Sequence, residues 1–175
     1  GAWPGGLFKL ENNRFVPHQE FSGSTNSIAS LFEDSRHQLW LGRRALNLLT
    51  PLTSGVAATP IQLPNSAPSV DVIALAEDAA GNLWIGTEAS GLFRWRNGEC
   101  RRYTRADGLP GENIRSLYAD PDGALWIGVM DGGLCRFKND RFVTCSIRNG
   151  LVDDVINHIA DDGQGWLWFS SFRGI

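Results

Sequence analysis

The residues that could do chemistry are few and scattered along this chain. Three histidines, His18, His37 and His158, lack the paired spacing that binds a metal ion. His158 with Asp154 is the one combination of a histidine and a nearby acid that could support general acid–base catalysis. The sequence contains no nucleophile elbow and no phosphate-binding loop. We therefore expect no catalysis, and we predict neither a metal ion nor a cofactor.

The three cysteines, Cys100, Cys135 and Cys145, have an irregular spacing that is typical of neither a disulfide framework nor a zinc site. If Asn139-Asp140 forms a two-residue turn, Cys135 lies opposite Thr144 on the paired strand. Cys145 then faces the other side of its strand, because adjacent strand residues point in opposite directions. We predict free, buried and unreactive thiols.

Four aspartates recur at a fixed distance from four tryptophans, each preceding its tryptophan by six residues. The pairs are Asp34 and Trp40, Asp78 and Trp84, Asp120 and Trp126, and Asp162 and Trp168. Successive tryptophans are 42 to 44 residues apart, and a leucine directly precedes each one. Aliphatic residues also stand nine and twelve positions before every tryptophan. This self-similarity indicates a repeat architecture.

Each repeat contains four short strand-like segments separated by turn signals such as Asn97-Gly98. Four antiparallel strands in about 42 residues are typical of a propeller blade. We therefore predict an all-β fold, a β-propeller of about four blades of four antiparallel strands, in a single region over residues 1–175. Its units cover 1–22, 23–66, 67–108, 109–150 and 151–175. The first and last are partial, and 23–66 is degenerate after its tryptophan.

The two partial units allow two arrangements. Residues 1–22 supply the two outer strands of a blade, and residues 151–175 supply two inner strands. We favour a fragment of a larger propeller, which would expose sheet faces and associate with other blades or with a second copy of the chain. The alternative is a closed four-bladed ring in which the N-terminal strands complete the last blade.

The repeated residues are interpreted as scaffold. Large aromatic residues mostly serve burial, so the four tryptophans are expected in the core between blades, and the four aspartates in turns. Ligand choice would then depend on equivalent repeat positions, here called columns, whose residue type changes from repeat to repeat. The column eleven residues before the tryptophan is such a variable column, and it holds Ala29, Ile73, Arg115 and Asn157.

Ligand-binding residues are expected where the inner strands and their loops converge on the propeller axis. The candidates are Asn113, Arg115, Asp154, Asn157 and His158. Further polar residues in the corresponding loops are Asn26, Ser27, Asp71 and Glu112.

Five arginines fall on the third and fourth strands of one blade and just beyond them: Arg94, Arg96, Arg101, Arg102 and Arg105. Outer strands are often charged because charge prevents edge-to-edge pairing. We interpret these arginines as a solvated edge. Contact with an anionic glycan or a protein partner is the alternative.

The formal net charge of −3 argues against nucleic acid and anionic membranes as partners. No apolar run approaches the roughly 18 residues that a membrane span needs. We predict that this segment contacts neither nucleic acid nor membrane.

The stretches EDAAGNLWIGT, ADPDGALWIGVMDGGLCRF and GLPGENIRSL resemble the two-component regulator propeller repeat. The resemblance implies the periplasmic or extracellular-facing sensor region of a bacterial inner-membrane protein with a histidine kinase or diguanylate cyclase output. It favours a ligand-sensing binding module without catalysis, and it suggests a carbohydrate-derived small ligand. A structural propeller that mediates dimerisation or protein interaction is the alternative, and a propeller lyase is a less favoured one.

Overall fold

Short antiparallel strands joined by tight turns dominate the chain. The computed structural model describes residues 7–21, 28–44, 48–53, 56–57, 59–67, 69–130 and 132–174. In this part of the chain buried and half-buried residues alternate along strands such as β8 (Val72–Glu77), because successive side chains point to opposite faces. The strands form five consecutive sheets. The prediction of an all-β propeller is confirmed.

A two-stranded half-blade begins the described chain, and a complete blade follows it. The half-blade pairs β1 (Phe8–Glu11) with β2 (Arg14–Pro17). The first blade contains β3 (Ile28–Glu33), β4 (Leu39–Arg43), β5 (Leu48–Thr53), β6 (Val56–Ala57) and β7 (Ile61–Gln62). Both β6 and β7 pair with β5, so the outer edge of this blade is split into two pieces. This edge lies in the unit that the sequence marks as degenerate.

The second and third blades are regular. The second contains β8, β9 (Leu83–Thr87), β10 (Leu92–Arg96) and β11 (Glu99–Tyr103) in sequential order. The third contains β12 (Ile114–Ala119), β13 (Leu125–Val129), β14 (Gly133–Lys138) and β15 (Arg141–Cys145). A second half-blade pairs β16 (Ile156–Asp161) with β17 (Leu167–Ser171).

Each sheet packs against its neighbours in sequence, and the inner strands β3, β8, β12 and β16 lie side by side. Four hydrophobic clusters fill the spaces between successive sheets. Representative members, from the first interface to the last, are Phe21 and Leu41, Trp40 and Phe93, Trp84 and Ile127, and Trp126 and Ile156. The core of this protein therefore lies between blades, because a single blade cannot bury both of its faces.

The two half-blades remain separate sheets that contact opposite ends of the row of blades. Leu7, just before β1, packs against the first blade, whereas Ile156 and Ile159 of β16 pack against the third. Among the described residues β17 pairs with β16 alone, and β1 pairs with β2 alone. The closed-ring alternative, which requires these strands to join in one blade, is therefore not the arrangement found. The blades form an open arc.

Burial of the repeated tryptophans follows this arc. Trp40 and Trp84 are 6% and 3% exposed because the next blade covers each indole. Trp126 is half-buried against the last half-blade. Trp168 is 53% exposed, which differs from the expectation of a core residue. Within the described chain no following sheet packs on its face.

Close contact between blades depends on a glycine two residues after the tryptophan. A Cβ at Gly86 would lie 2.6 Å from Cγ2 of Ile114, and a Cβ at Gly42 would lie 2.5 Å from the carbonyl oxygen of Val72. Both neighbours are the first residue of the next blade's inner strand. The fourth repeat has Ser170 at the position of this glycine. Absence of a side chain thus lets the second strand of one blade approach the inner strand of the next.

Candidate functional site

The aspartate and tryptophan columns are joined by a hydrogen bond in every repeat. Each indole Nε1–H donates to the Oδ2 atom of the aspartate six residues earlier. The distances are 2.9 Å for Trp40 and Asp34, 2.8 Å for Trp84 and Asp78, 3.2 Å for Trp126 and Asp120, and 3.0 Å for Trp168 and Asp162. Sequence reasoning treated the two columns separately and missed this bond. The signal that could have revealed it is their invariant six-residue spacing.

The second carboxylate oxygen of these aspartates shapes the turn. Oδ1 of Asp78 accepts the backbone N–H groups of Ala80 and Asn82, each at 3.0 Å. Burial alone would raise the pKa of Asp78, but the hydrogen bonds from Asn82, Trp84 and the backbone outweigh it and lower this pKa. Each carboxylate therefore links a turn to an indole. The hydrogen bonds of these aspartates thus give them a structural role.

The variable column coincides with a β-bulge in every inner strand. Strand register shifts across Ala29, Ile73, Arg115 and Asn157, each of which lies between two paired residues of its strand. All four side chains are half-buried. A bulge leaves one residue unpaired and changes the direction of its side chain. The residues whose types vary most are thus the ones released from sheet pairing.

Two of the predicted candidates converge in the third blade. Nδ2 of Asn113 lies 3.4 Å from Sδ of Met130, and a guanidinium nitrogen of Arg115 lies 3.1 Å from the same sulfur. The Oδ1 atom of Asn113 and the Nε atom of Arg115 are buried and have no hydrogen-bond partner among the described residues. A thioether is a weak acceptor, so both polar groups keep unused hydrogen-bonding capacity. Met130 was missed because it follows β13 at a position with no repeat signal.

Other candidates are engaged in holding loops together. Oδ1 of Asp154 accepts the backbone N–H of Ile147 at 2.7 Å, and the Asp154 carbonyl accepts the N–H of Gly133 at 2.8 Å. Asp71 is buried and forms an ion pair with Arg44 at 2.9 Å. Asp154 and Asp71 are therefore used to hold loops in place.

The remaining candidates do not form a cluster with Asp154. Asn157 is the half-buried bulge residue of β16, and His158 is exposed and lies opposite Ser170. No hydrogen bond joins His158 to Asp154 among the contacts of these two described residues. Asn26 and Ser27 lie outside the described residues.

The five arginines have different surroundings. Arg102 donates to the carbonyl of Ser90 at 2.8 Å and to the carbonyl of Asn65, and it forms an ion pair with Glu112 at 3.2 Å. It therefore fastens the outer strand to three loops. Arg105 lies exposed in a short 3-10 helix. The other three, Arg94, Arg96 and Arg101, line a pocket at the outer side of the second blade.

The strands that carry Cys135 and Cys145 pair in the predicted register. Cys135 lies opposite Thr144, and Cys145 lies opposite Leu134, so the two thiols point to different faces. All three cysteines are free, and Cys135 is the buried one, whereas Cys100 and Cys145 are half-buried. Burial raises the pKa of both Cys100 and Cys135 to about 11. Within the described ranges no group of three metal-ligating side chains could hold a metal ion.

These sheets define a β-propeller, and its repeats can be assigned. Residues 66–89 and 108–131 match the family described as the two component regulator propeller. The first segment contains the Asp78–Trp84 pair, and the second contains the Asp120–Trp126 pair. The match confirms the resemblance seen in the sequence. No curated protein matches the chain.

Solved structures share this architecture over nearly the whole chain. The extracellular domain of a putative hybrid two-component system from B. thetaiotaomicron is 25% identical with a TM-score of 0.79, covering 95% of this chain and 23% of that one. A second such extracellular domain from B. thetaiotaomicron is 23% identical with a TM-score of 0.75, covering 96% and 24%. The chain thus spans about a quarter of these proteins. It is a propeller region that resembles the extracellular parts of hybrid two-component systems.

A similar fold also occurs in an enzyme. Virginiamycin B lyase from Staphylococcus aureus is 17% identical with a TM-score of 0.76, covering 96% of this chain and 57% of the lyase. At this identity the likeness concerns the fold alone.

The part of the chain that the structure describes contains no helix long and apolar enough to cross a membrane.

Replacing a buried repeat tryptophan should destabilise the arc more than replacing the exposed one. Trp84→Phe removes the bond to Asp78 and leaves a cavity between the second and third blades, so we expect a loss of about 1–3 kcal/mol in unfolding free energy. Trp168→Phe removes the equivalent bond on a face without a neighbour, so its loss should be much smaller. Urea denaturation of both variants measures the difference. Equal losses would show that the hydrogen bond, and not inter-blade burial, dominates.

Stability should fall in acid because folding lowers the pKa of the repeat aspartates Asp34, Asp78 and Asp162. The hydrogen bond from Trp168 lowers the pKa of Asp162, and the bonds to Asp34 and Asp78 outweigh burial and lower theirs. In the unfolded chain these groups titrate near the ordinary value of about 3.9. Their stabilisation is therefore present above about pH 4 and is lost as pH falls through the lower folded values.

Urea midpoints measured from pH 7 to pH 2.5 should be nearly constant down to about pH 4 and then decrease. Asp78→Asn should be less stable at neutral pH and should lose less on acidification. Asp122→Asn, which changes an exposed turn residue of the third blade, serves as the matched control. An Asp78→Asn profile parallel to the wild-type profile would exclude this carboxylate as a source of the acid sensitivity.

Proposed function

We propose that this chain forms part of the extracytoplasmic, ligand-sensing propeller of a bacterial signal-transduction receptor of the histidine kinase or diguanylate cyclase type. In this role it binds a ligand and performs no catalysis. Two segments match two component regulator propeller repeats, and similar structures are extracellular domains of putative hybrid two-component systems. These similarities support a sensing role outside the cytoplasmic membrane.

The observation that carries the proposal is the position of the variable column. Neighbouring repeats keep their core residues and change the bulge residue from Ala29 and Ile73 to Arg115 and Asn157. Inner strands of a propeller surround its central channel, where loops and strand ends form ligand sites. A bulge leaves its residue outside the strand pairing, so the residue type can change while the pairs that flank it are kept. This arrangement can alter recognition while the scaffold stays constant.

The polar groups at these positions suit a carbohydrate-derived ligand. Arg115, Asn113 and Asn157 offer planar guanidinium and amide groups, which donate and accept the directional hydrogen bonds that sugar hydroxyls make. Asn113 and Arg115 each retain a buried polar atom that a ligand oxygen or hydroxyl could satisfy. Unsatisfied buried polar groups cost free energy, so their pairing on binding would be favourable.

The proposal of no catalysis draws on the surroundings of the histidine–acid combination that the sequence suggested; His37 also contacts Glu33, at 2.6 Å, but both side chains are exposed. The carboxylate of Asp154 accepts a backbone hydrogen bond from Ile147 in a loop, whereas His158 is exposed on β16. A general acid–base pair needs a positioned hydrogen bond between base and acid or between base and reacting group. Neither side chain is positioned by the other.

Binding of an oligosaccharide is expected to raise the melting temperature, measured by thermal-shift screening with a panel of neutral and acidic oligosaccharides. Arg115→Ala and Asn157→Ala should abolish the shift because each removes a side chain from the bulge column. Arg36→Ala, at an exposed turn of the first blade, should leave the shift unchanged and provides the matched control.

Shifts that persist in both bulge variants would remove these residues from the site, and a panel without any shift would contradict the carbohydrate class.

The receptor assignment has a separate test in the full-length gene product. A downstream membrane helix with a kinase or cyclase domain is expected, and a product without them would contradict the signalling role.

A second candidate function is protein interaction through the apolar faces of the half-blades. Trp166, Trp168 and Phe172 are 69%, 53% and 75% exposed at one end of the arc, and Phe15 is 76% exposed at the other. Exposed apolar patches of this kind mark interaction surfaces. Another propeller blade or a second copy of the chain would cover them.

If these faces associate, sedimentation velocity should show a concentration-dependent dimer or larger species. Phe172→Glu should shift the distribution to monomer because it places a charge on the apolar face. Val143→Glu, which changes an exposed residue of the third blade's outer strand, should have no such effect. A monomer at all concentrations would contradict this candidate.

A further inference from the structure

The outer part of the second blade carries a pocket that neither the repeat nor the proposed sensing site explains. Its volume is about 740 Å³, within the range of small-molecule sites. The lining residues are Asn82, Arg94, Arg96, Asn97, Glu99, Cys100 and Arg101. Three of the seven are arginines, in a chain whose net charge is −3. The pocket therefore concentrates positive charge.

Strand pairing places two of these cations directly opposite each other. Arg94 of β10 pairs with Arg101 of β11, and like charges opposite each other destabilise a sheet. Both guanidinium groups contact the ring of Tyr103, at 5.9 Å and 4.6 Å from its centroid, and Arg94 lies 5.8 Å from the centroid of Trp84. Aromatic faces stabilise the cations, yet they do not neutralise them.

Among the described residues no carboxylate forms an ion pair with this cluster. In the described part of the chain, Arg94, Arg96 and Arg101 take part in none of the ion pairs. Glu99 lies opposite Arg96 and is the one acid in the lining, while Asp107 and Asp140 act on Tyr103 from farther away. Arg102 on the same strand shows the contrast, since it is held by Glu112. The pocket keeps a surplus of positive charge.

The third blade shows which part of this cluster is scaffold. There Arg136 occupies the position of Arg94 and lies 5.7 Å from the ring centroid of Trp126. Its opposite residue on β15 is Val143, whereas the second blade has Arg101. Stacking of an arginine on the repeat tryptophan is therefore shared, and Arg101 is the addition. Protection of the sheet edge accounts for charge on β11 but not on β10, which is paired on both sides.

We propose that this pocket binds a small ligand that carries two or more oxyanion groups, whether carboxylate, sulfate or phosphate. Guanidinium groups bind such oxyanions through paired, charge-assisted hydrogen bonds. A bound dianion removes the repulsion between Arg94 and Arg101, and the Asn97 amide supplies a neutral hydrogen-bonding group. The site is on the outer strands, apart from the inner-strand bulges, so it does not depend on the proposed function.

Isothermal titration calorimetry of the wild-type chain at low salt tests the proposal with three multivalent probes: citrate, pyrophosphate and a sulfated disaccharide. At least one should bind, and acetate and the unsulfated disaccharide should bind far more weakly. The three probes distinguish carboxylate, phosphate and sulfated ligands from one another. The variant Arg101→Val installs the residue that the third blade already has, so the fold should tolerate it.

Arg101→Val should weaken binding at least about tenfold, because one charge-assisted contact is lost. Arg14→Val changes net charge equally on the first half-blade and should leave binding unchanged. Arg96→Gln is the second test variant if circular dichroism shows that Arg101→Val is misfolded. Failure of every multivalent probe, equal weakening by Arg14→Val, or equal binding of the neutral disaccharide would overturn the proposal.

Discussion

The structure depends on the packing of the repeat tryptophans between successive sheets, with each indole held by a hydrogen bond to the carboxylate six residues earlier. The aspartate fixes the turn between the first two strands through its other oxygen, and the indole presents a large apolar surface to the next blade. Local turn geometry and inter-blade packing are therefore coupled within each repeat. A glycine two residues after each buried tryptophan lets the next inner strand approach. This glycine and the tryptophan together bring successive sheets into close contact.

The sequence was sufficient for the strands and their order because turn residues and apolar alternation are local signals. It also predicted the opposition of Cys135 and Thr144, since a two-residue turn determines hairpin register. It could not predict that Trp168 is exposed, because burial depends on a neighbouring sheet and not on the residue itself. The loop contacts of Asp154 and the approach of Met130 to Arg115 were equally inaccessible, as they depend on side-chain positions in different segments.

Repeated and variable residues occupy different positions in the repeat. The columns that recur build turns and interfaces, whereas the inner bulges and the outer cation cluster differ between blades. The same architecture occurs in extracellular domains of putative hybrid two-component systems and in a lyase, so the fold alone does not specify chemistry. Any specificity of this chain is therefore expected in Arg115, Asn157 and Arg101 and not in the shared tryptophans.

The four separate hydrophobic clusters have a consequence for motion. Since the sheets of the described chain pack mainly against their neighbours in sequence, cooperativity is expected to pass from blade to blade through one interface at a time, as in other repeat proteins. Opening of a terminal half-blade exposes a single cluster and leaves the remaining interfaces intact. Amide protons of the second and third blades should thus exchange more slowly than those of β1, β2, β16 and β17. We therefore expect the arc to open from its ends.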